Sequence, residues 1–173
     1  MGLLDDIEAE ELEESTKTLR KTVPGYDYRQ KEKRAETDRK LREKITREIK
    51  KTRSNLDSVS DMAYDDGKRG VVEEISEVID SLMKLEKKAE SSPQGGRVGK
   101  IDSSEEEDMI GLLEKDAKLV RDAETLSGAT DELEQAVIEG KTEGIEKRLR
   151  ELRKTTDDVE RTFEGRKDLI KGL

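Results

Sequence analysis

Acidic residues recur at helical spacing in two neighbouring stretches of this chain, and carboxylates in that arrangement can hold a metal ion. The first stretch reads EExxExxD over residues 73–80, and the second reads ExxD over residues 105–108. Side chains three and four residues apart lie on the same side of a helix, and carboxylate oxygens are the ligands that Mg²⁺ prefers in proteins. Two such helices packed together could hold a magnesium ion that orients a phosphate substrate.

The spacing of these carboxylates resembles that of the MazG-like all-α nucleotide pyrophosphohydrolases. In that family EExxE and a later ExxD on neighbouring helices hold the metal that orients a triphosphate. The resemblance covers residues 73–108. It implies that the magnesium ligands would be Glu74, Glu77, Glu105 and Asp108.

The same acidic residues also fit a helix face that points to water. Apolar residues define one face of the first helix, and Glu73, Glu77 and Asp80 fall roughly opposite to it. The second pattern overlaps a helix-capping sequence that begins at Ser103 or Ser104. The pattern therefore favours a solvated acidic face, and the magnesium site is kept as the alternative.

Composition excludes several kinds of catalytic site. The chain of 173 residues contains neither cysteine nor histidine, which removes thiolate nucleophiles, disulfides, histidine general bases and the usual zinc ligands. Aromatic residues make up 2% of the chain and charged residues 46%, so there is little to line a deep ligand pocket. We expect no enzymatic activity, no cofactor and no small-molecule substrate.

One segment is basic although the whole chain carries a net charge of −9. Residues 29–53 contain 12 Lys and Arg against 5 Asp and Glu. This segment could be a solvated helix with internal ion pairs, a contact for nucleic acid or an anionic membrane, or a dock for an acidic protein surface, including a second copy of the chain. The candidate contact residues are Arg39, Lys40, Lys44, Arg47 and Lys51.

Two helices with long apolar seams organise the remaining sequence. The seam of the first helix, residues 29–66, runs through Leu41, Ile45, Ile49, Thr52, Leu56, Val59 and Ala63. The seam of the last helix, residues 142–171, has heptad spacing through Ile145, Leu149, Leu152, Thr156, Val159, Phe163, Arg166 and Ile170. Thr156 and Arg166 should weaken this seam as an isolated dimer, so packing within a bundle is favoured.

These patterns predict an all-α protein with a long-helix arm or hairpin and a coiled-coil-like helical bundle. Helices are expected near residues 3–21, 29–66, 71–90, 104–126, 130–139 and 142–171. The helix near 104–126 is expected to end near Gly128 and to bury Met109, Ile110, Leu113, Ala117, Val120 and Ala123. Residues 1–67 would form an acidic helix and a basic arm, and residues 68–173 an acidic bundle with a flexible linker at 91–103. The absence of long apolar runs predicts an intracellular, cytoplasmic protein without a membrane span.

The favoured functional hypothesis is a non-enzymatic coiled-coil interaction or scaffold protein that self-associates. Its expected partner is a protein, including a second copy in a homo-oligomer. The first alternative is electrostatic binding to nucleic acid or anionic membrane through residues 29–53, which is not favoured because the net negative charge repels polyanions. The second alternative is the Mg-dependent MazG-like nucleotide pyrophosphohydrolase.

Overall fold

The computed structural model describes residues 3–27, 30–91 and 106–171, and all regular structure in these ranges is helical. The α-helices are α1 (Leu3–Thr22), α2 (Arg34–Asp65), α3 (Arg69–Ser91), α4 (Glu106–Glu139) and α5 (Thr142–Lys171), and a short 3₁₀ turn, Lys31–Lys33, precedes α2. The prediction of an all-α helical bundle is confirmed. None of the helices in the described ranges is long and apolar enough to span a membrane.

The two apolar seams are buried as the sequence predicts. On α2 the seven seam residues from Leu41 to Ala63 are all buried, and on α5 the eight from Ile145 to Ile170 are all buried. A stripe that recurs every three or four residues stays on one side of an α-helix, and its removal from water is the main stabilising contribution of these helices. The sequence therefore determines which side of α2 and α5 faces inward.

The predicted break between residues 126 and 130 is wrong, because α4 runs without interruption from Glu106 to Glu139. The break was expected at Gly128, and a glycine inside a helix costs about 1 kcal/mol relative to alanine. Leu126, Thr130 and Leu133 are fully buried on either side of Gly128. Burial of this apolar side outweighs the cost of one glycine.

The predicted inward face of α4 is also partly wrong. Met109, Ile110 and Leu113 were expected to point inward, but they are only half-buried. Leu112 and Leu119 are almost completely buried in the same part of the helix. Helix α4 is therefore rotated about its axis relative to the prediction. This orientation places Asp116 inside, where it joins an ion-pair network described below.

The contacts divide the chain into two compact units. The first contains the described residues within Met1–Lys44, Ser92–Arg121 and Thr162–Leu173, and the second contains Ile45–Ser91 and Asp122–Arg161. The predicted division of the chain at residues 67 and 68 stays a prediction. The predicted linker, residues 91–103, lies outside the described residues except for Ser91, which ends α3.

The first unit encloses a network of buried charges. Arg166 on α5 is fully buried, and its guanidinium donates from Nε to Asp116 Oδ1 (2.6 Å) and from Nη2 to Asp38 Oδ1 (2.5 Å). Asp116 also accepts from the Tyr26 hydroxyl at 2.9 Å, and Asp38 accepts from Arg42 Nε at 2.9 Å. A buried charge is tolerated when it is paired and hydrogen-bonded. One guanidinium thereby connects α2, α4 and α5 in this unit.

Burial raises the pKa of the Asp116 carboxyl, which is completely shielded from water. The Arg166 guanidinium and the Tyr26 hydroxyl lower that pKa, while the nearby Asp38 carboxylate raises it, and the net direction is upward. Folding therefore makes Asp116 bind a proton more readily than it would in the unfolded chain. Arg166 lies between the two carboxylates and pairs with both of them.

Two helical hairpins make up the second unit. Helix α2 ends in a Schellman motif, in which Gly67 has a φ of +73° and Lys68 N–H donates to Ala63 O at 2.8 Å. Gly140 has a φ of +70° between α4 and α5 and donates to Ala136 O at 3.1 Å. Glycine adopts this left-handed conformation without steric cost. These two turns allow α2 to pack antiparallel to α3, and α4 to α5.

Three threonines lie in the core of the second unit without disrupting it. Thr52, Thr130 and Thr156 are almost completely buried. Each hydroxyl donates to the carbonyl four residues earlier, at 2.9, 2.9 and 2.8 Å. Because the polar atom has a partner in its own helix, the side chain packs as a small apolar group. The Thr156 hydroxyl thus has a hydrogen-bond partner in the α5 seam.

Candidate functional site

The outward side of the α2–α3 hairpin in the second unit carries its charges in two separate groups. We call this surface the hairpin face. Ion pairs between the two helices show that they run antiparallel: Lys50 Nζ contacts Glu90 Oε1 at 2.8 Å, and Arg53 pairs with Glu86. Each step forward along α2 is therefore matched by a step backward along α3. Charges early on α2 lie near charges late on α3.

The half of the hairpin face distant from the Gly67 turn is basic. Its exposed charged side chains are Arg47, Lys50, Lys51, Lys84, Lys87 and one acid, Glu90. The first three come from α2 and the others from α3. Five bases against one acid give this half a formal charge of +4.

The half of the hairpin face near the Gly67 turn is acidic. Its exposed charged side chains are Asp57, Asp61, Asp65, Asp66, Glu73, Glu77, Asp80 and one base, Arg69. Seven acids against one base give a formal charge of −6. The hairpin face therefore has two ends of opposite sign.

Most of these charges have no ion-pair partner among the residues that the structure describes. In the described ranges, four bases and four acids of the face have no ion-pair partner. These are Arg47, Lys51, Lys84 and Lys87, and Asp57, Asp61, Glu73 and Asp80. Other exposed charges form local pairs, as Glu13 and Lys17 do on α1 at 2.8 Å. The hairpin face keeps unpaired charge of both signs available to a partner.

The boundary between the two halves is marked by small or apolar residues. Ser54 is exposed on α2 between Lys51 and Asp57. Met83 on α3, between Asp80 and Lys84, is 37% exposed. The antiparallel register given by Lys50–Glu90 places Ser54 and Met83 within about one helical turn of the same level. The boundary of the hairpin face thus lies at Ser54 and Met83, with Lys84 of the basic half directly beside it.

The five predicted contact residues of the basic segment differ in their surroundings. Arg39 pairs with Glu43 at 2.5 Å, and Lys40 pairs with Glu36 at 2.8 Å. The side chain of Lys44 is half-buried and has a partner within the chain. Only Arg47 and Lys51 are both exposed and unpaired in the part of the chain that the structure describes.

The alternative magnesium ligands are only partly described. Glu74 and Glu77 each place an Oε2 atom 3.1 Å from Arg153 Nη2 on α5. Glu105 lies outside the described residues, and so does the side chain of Asp108. Among the described residues, no three acidic side chains come together as a group able to hold a metal ion. The two carboxylates that can be followed bind a guanidinium, and the four-ligand site stays a prediction.

No family model, curated protein or solved structure matches the chain.

Proposed function

We propose that this chain is a non-enzymatic helical interaction protein that self-associates, and that its partner surface is the hairpin face of a second copy. The observation that carries this proposal is the separation of unpaired charge into a basic and an acidic half on one exposed face. Opposite charges across an interface guide encounter and fix register. A surface that carries both signs in separate halves is complementary to a copy of itself.

The same charges fit a polyanion less well. Nucleic acid or an anionic membrane would attract Arg47 and Lys51, but the acidic half of the same face would be brought close to it and repelled. The net charge of −9 adds repulsion at longer range. A second copy offers an acidic surface to the basic half and a basic surface to the acidic half.

The expected association is modest and depends on salt. Exposed ion pairs contribute about 0.2–1 kcal/mol each, so several pairs must form together to hold two copies. Screening shortens the reach of these charges to about 3 Å at 1 M salt. We expect the mass measured by sedimentation equilibrium to exceed that of the monomer at low salt and to return to the monomer at 1 M salt.

Substitution of Arg47 and Lys51 by Gln tests this function. A symmetric dimer would lose the four ion pairs that these residues make, two in each copy, and we expect the association constant to fall about tenfold at low salt. The fold should be unchanged, because both side chains are exposed.

The matched control replaces Lys147 and Arg150 by Gln. These residues are exposed on α5 in the same unit and carry the same total charge, but they lie outside the hairpin face. The control should self-associate like the wild type. A wild-type protein that stays monomeric at low salt, or one that binds RNA or DNA tightly at 150 mM salt through Arg47 and Lys51, would contradict the proposal.

A further inference from the structure

Resting on the proposed function, we infer that two copies associate antiparallel about a two-fold axis that crosses the hairpin face at Ser54 and Met83. Helix α2 of one copy then lies against α2 of the second, and α3 lies against α3. The axis runs in the plane of the interface, perpendicular to the helices. Most homodimers have two-fold symmetry, in which the same surface of both copies is used.

The charge distribution selects this orientation over the parallel one. A two-fold axis along the helices would place the acidic half, with a formal charge of −6, against itself. It would also place the basic half against itself, and like charges facing each other are unfavourable. An axis perpendicular to the helices places each acidic half against the basic half of the other copy.

Residue spacing on α2 agrees with an axis at Ser54. Arg47 and Asp61 lie at equal distances before and after Ser54, and so do Lys51 and Asp57. Seven residues correspond to about two helical turns, so Arg47, Ser54 and Asp61 lie on the same side of the helix. The two-fold axis therefore pairs Arg47 with Asp61 of the second copy, and Lys51 with Asp57.

Residue spacing on α3 gives the same result at Met83. Asp80 and Lys87 are placed almost symmetrically about the position between Met83 and Lys84, and all four are exposed. The axis pairs Asp80 with Lys87 of the second copy and brings the two Met83 side chains together. Met83 is the exposed apolar side chain near the middle of the face. Its thioether can adapt to a partner surface, and small Ser54 allows the α2 backbones to approach closely.

Disulfide cross-linking can map this axis because the chain contains no cysteine. A disulfide requires Cα atoms about 4.4–6.8 Å apart. A residue on the axis meets its own copy, so Ser54→Cys and Met83→Cys should each give cross-linked dimers under mild oxidation. Ser76→Cys is the matched control, since it is exposed on α3 about 10 Å along the helix from Met83. Its two copies would be about 20 Å apart and should not cross-link.

A mixture of two variants gives a positive test of the antiparallel direction. Ser76 and Ser91 lie at equal distances on either side of the position between Met83 and Lys84, and both are exposed. Ser76→Cys and Ser91→Cys should cross-link with each other when mixed, and neither should cross-link alone. Each variant is first checked by sedimentation for the oligomer mass of the wild type.

The outcomes separate this inference from the proposed function. If the wild type is a dimer but Ser76→Cys links to itself as fast as Met83→Cys, or none of the variants cross-links, the antiparallel axis is wrong and self-association stands. If the wild type is monomeric, the antiparallel axis and the proposed self-association are both wrong. The inference is supported if Ser54→Cys and Met83→Cys each cross-link to themselves and Ser76→Cys does not. The mixture of Ser76→Cys and Ser91→Cys must also give a cross-linked product.

Discussion

Replacement of Arg166 by Met should lower the free energy of unfolding by about 3–5 kcal/mol. Arg166 is fully buried and binds Asp116 at 2.6 Å and Asp38 at 2.5 Å. Methionine fills much of the same volume but leaves two buried carboxylates near each other without the cation between them. Removal of one partner from a buried ion pair is strongly destabilising because the remaining charge is uncompensated. Urea unfolding followed by circular dichroism measures the loss.

Two further variants test whether the loss comes from the network. Arg161→Met changes an arginine of the same helix whose side chain is 79% exposed, and its effect should stay within about 0.5 kcal/mol. Addition of Asp116→Asn to Arg166→Met removes one stranded carboxylate and should recover part of the stability. A loss below about 1 kcal/mol for Arg166→Met, or no recovery in the double variant, would contradict the described network.

The second large effect is expected at Leu152. This side chain is fully buried in the α5 seam of the second unit, and truncation of a buried leucine to alanine costs about 2–5 kcal/mol through lost burial and a cavity. Ile138→Ala is the control in the same unit, because Ile138 is 58% exposed. Its substitution should change stability by less than about 1 kcal/mol. Equal effects of the two substitutions would contradict the assignment of the seam.

The apolar pattern predicts the helices and their inward sides where the pattern is regular. Seven seam residues of α2 and eight of α5 are buried as expected, because a seam of this length is compatible with only one face of a helix. On α4 the pattern misleads at Gly128 and at Met109, Ile110 and Leu113. There the packing of neighbouring helices and one buried ion pair decide the helix length and rotation.

The buried network could not be predicted from local sequence. Asp38, Asp116 and Arg166 are distant along a chain in which 46% of the residues are charged, so nothing local distinguishes them from surface charges. Arg166 gave a partial signal because it occupies a seam position of α5. A charged residue in an apolar seam needs a partner, but only the folded structure identifies that partner.

The charge separation on the hairpin face could not be predicted from the sequence for a different reason. The net charge of residues 29–53 does not show which bases are paired, and the structure shows that Arg39 and Lys40 bind glutamates on their own helix. The separation of charge emerges only when α3 is placed antiparallel to α2 and the outward residues are known. Docking on the basic helix was one of three hypotheses from the sequence. Of its five predicted contact residues, Arg47 and Lys51 are exposed without an ion-pair partner in the described ranges.

The most direct test of self-association through the hairpin face is the mass of an equimolar mixture of two charge variants at low salt. One variant carries Arg47→Glu with Lys51→Glu, and the other carries Asp57→Lys with Asp61→Lys. Each variant alone carries one sign at positions 47, 51, 57 and 61 of α2 and should sediment as a monomer, because like charges then face each other across the interface. Mixed, the two faces are complementary, and we predict a 1:1 heterodimer. Variants that associate alone like the wild type, or a mixture that stays monomeric, would contradict the account.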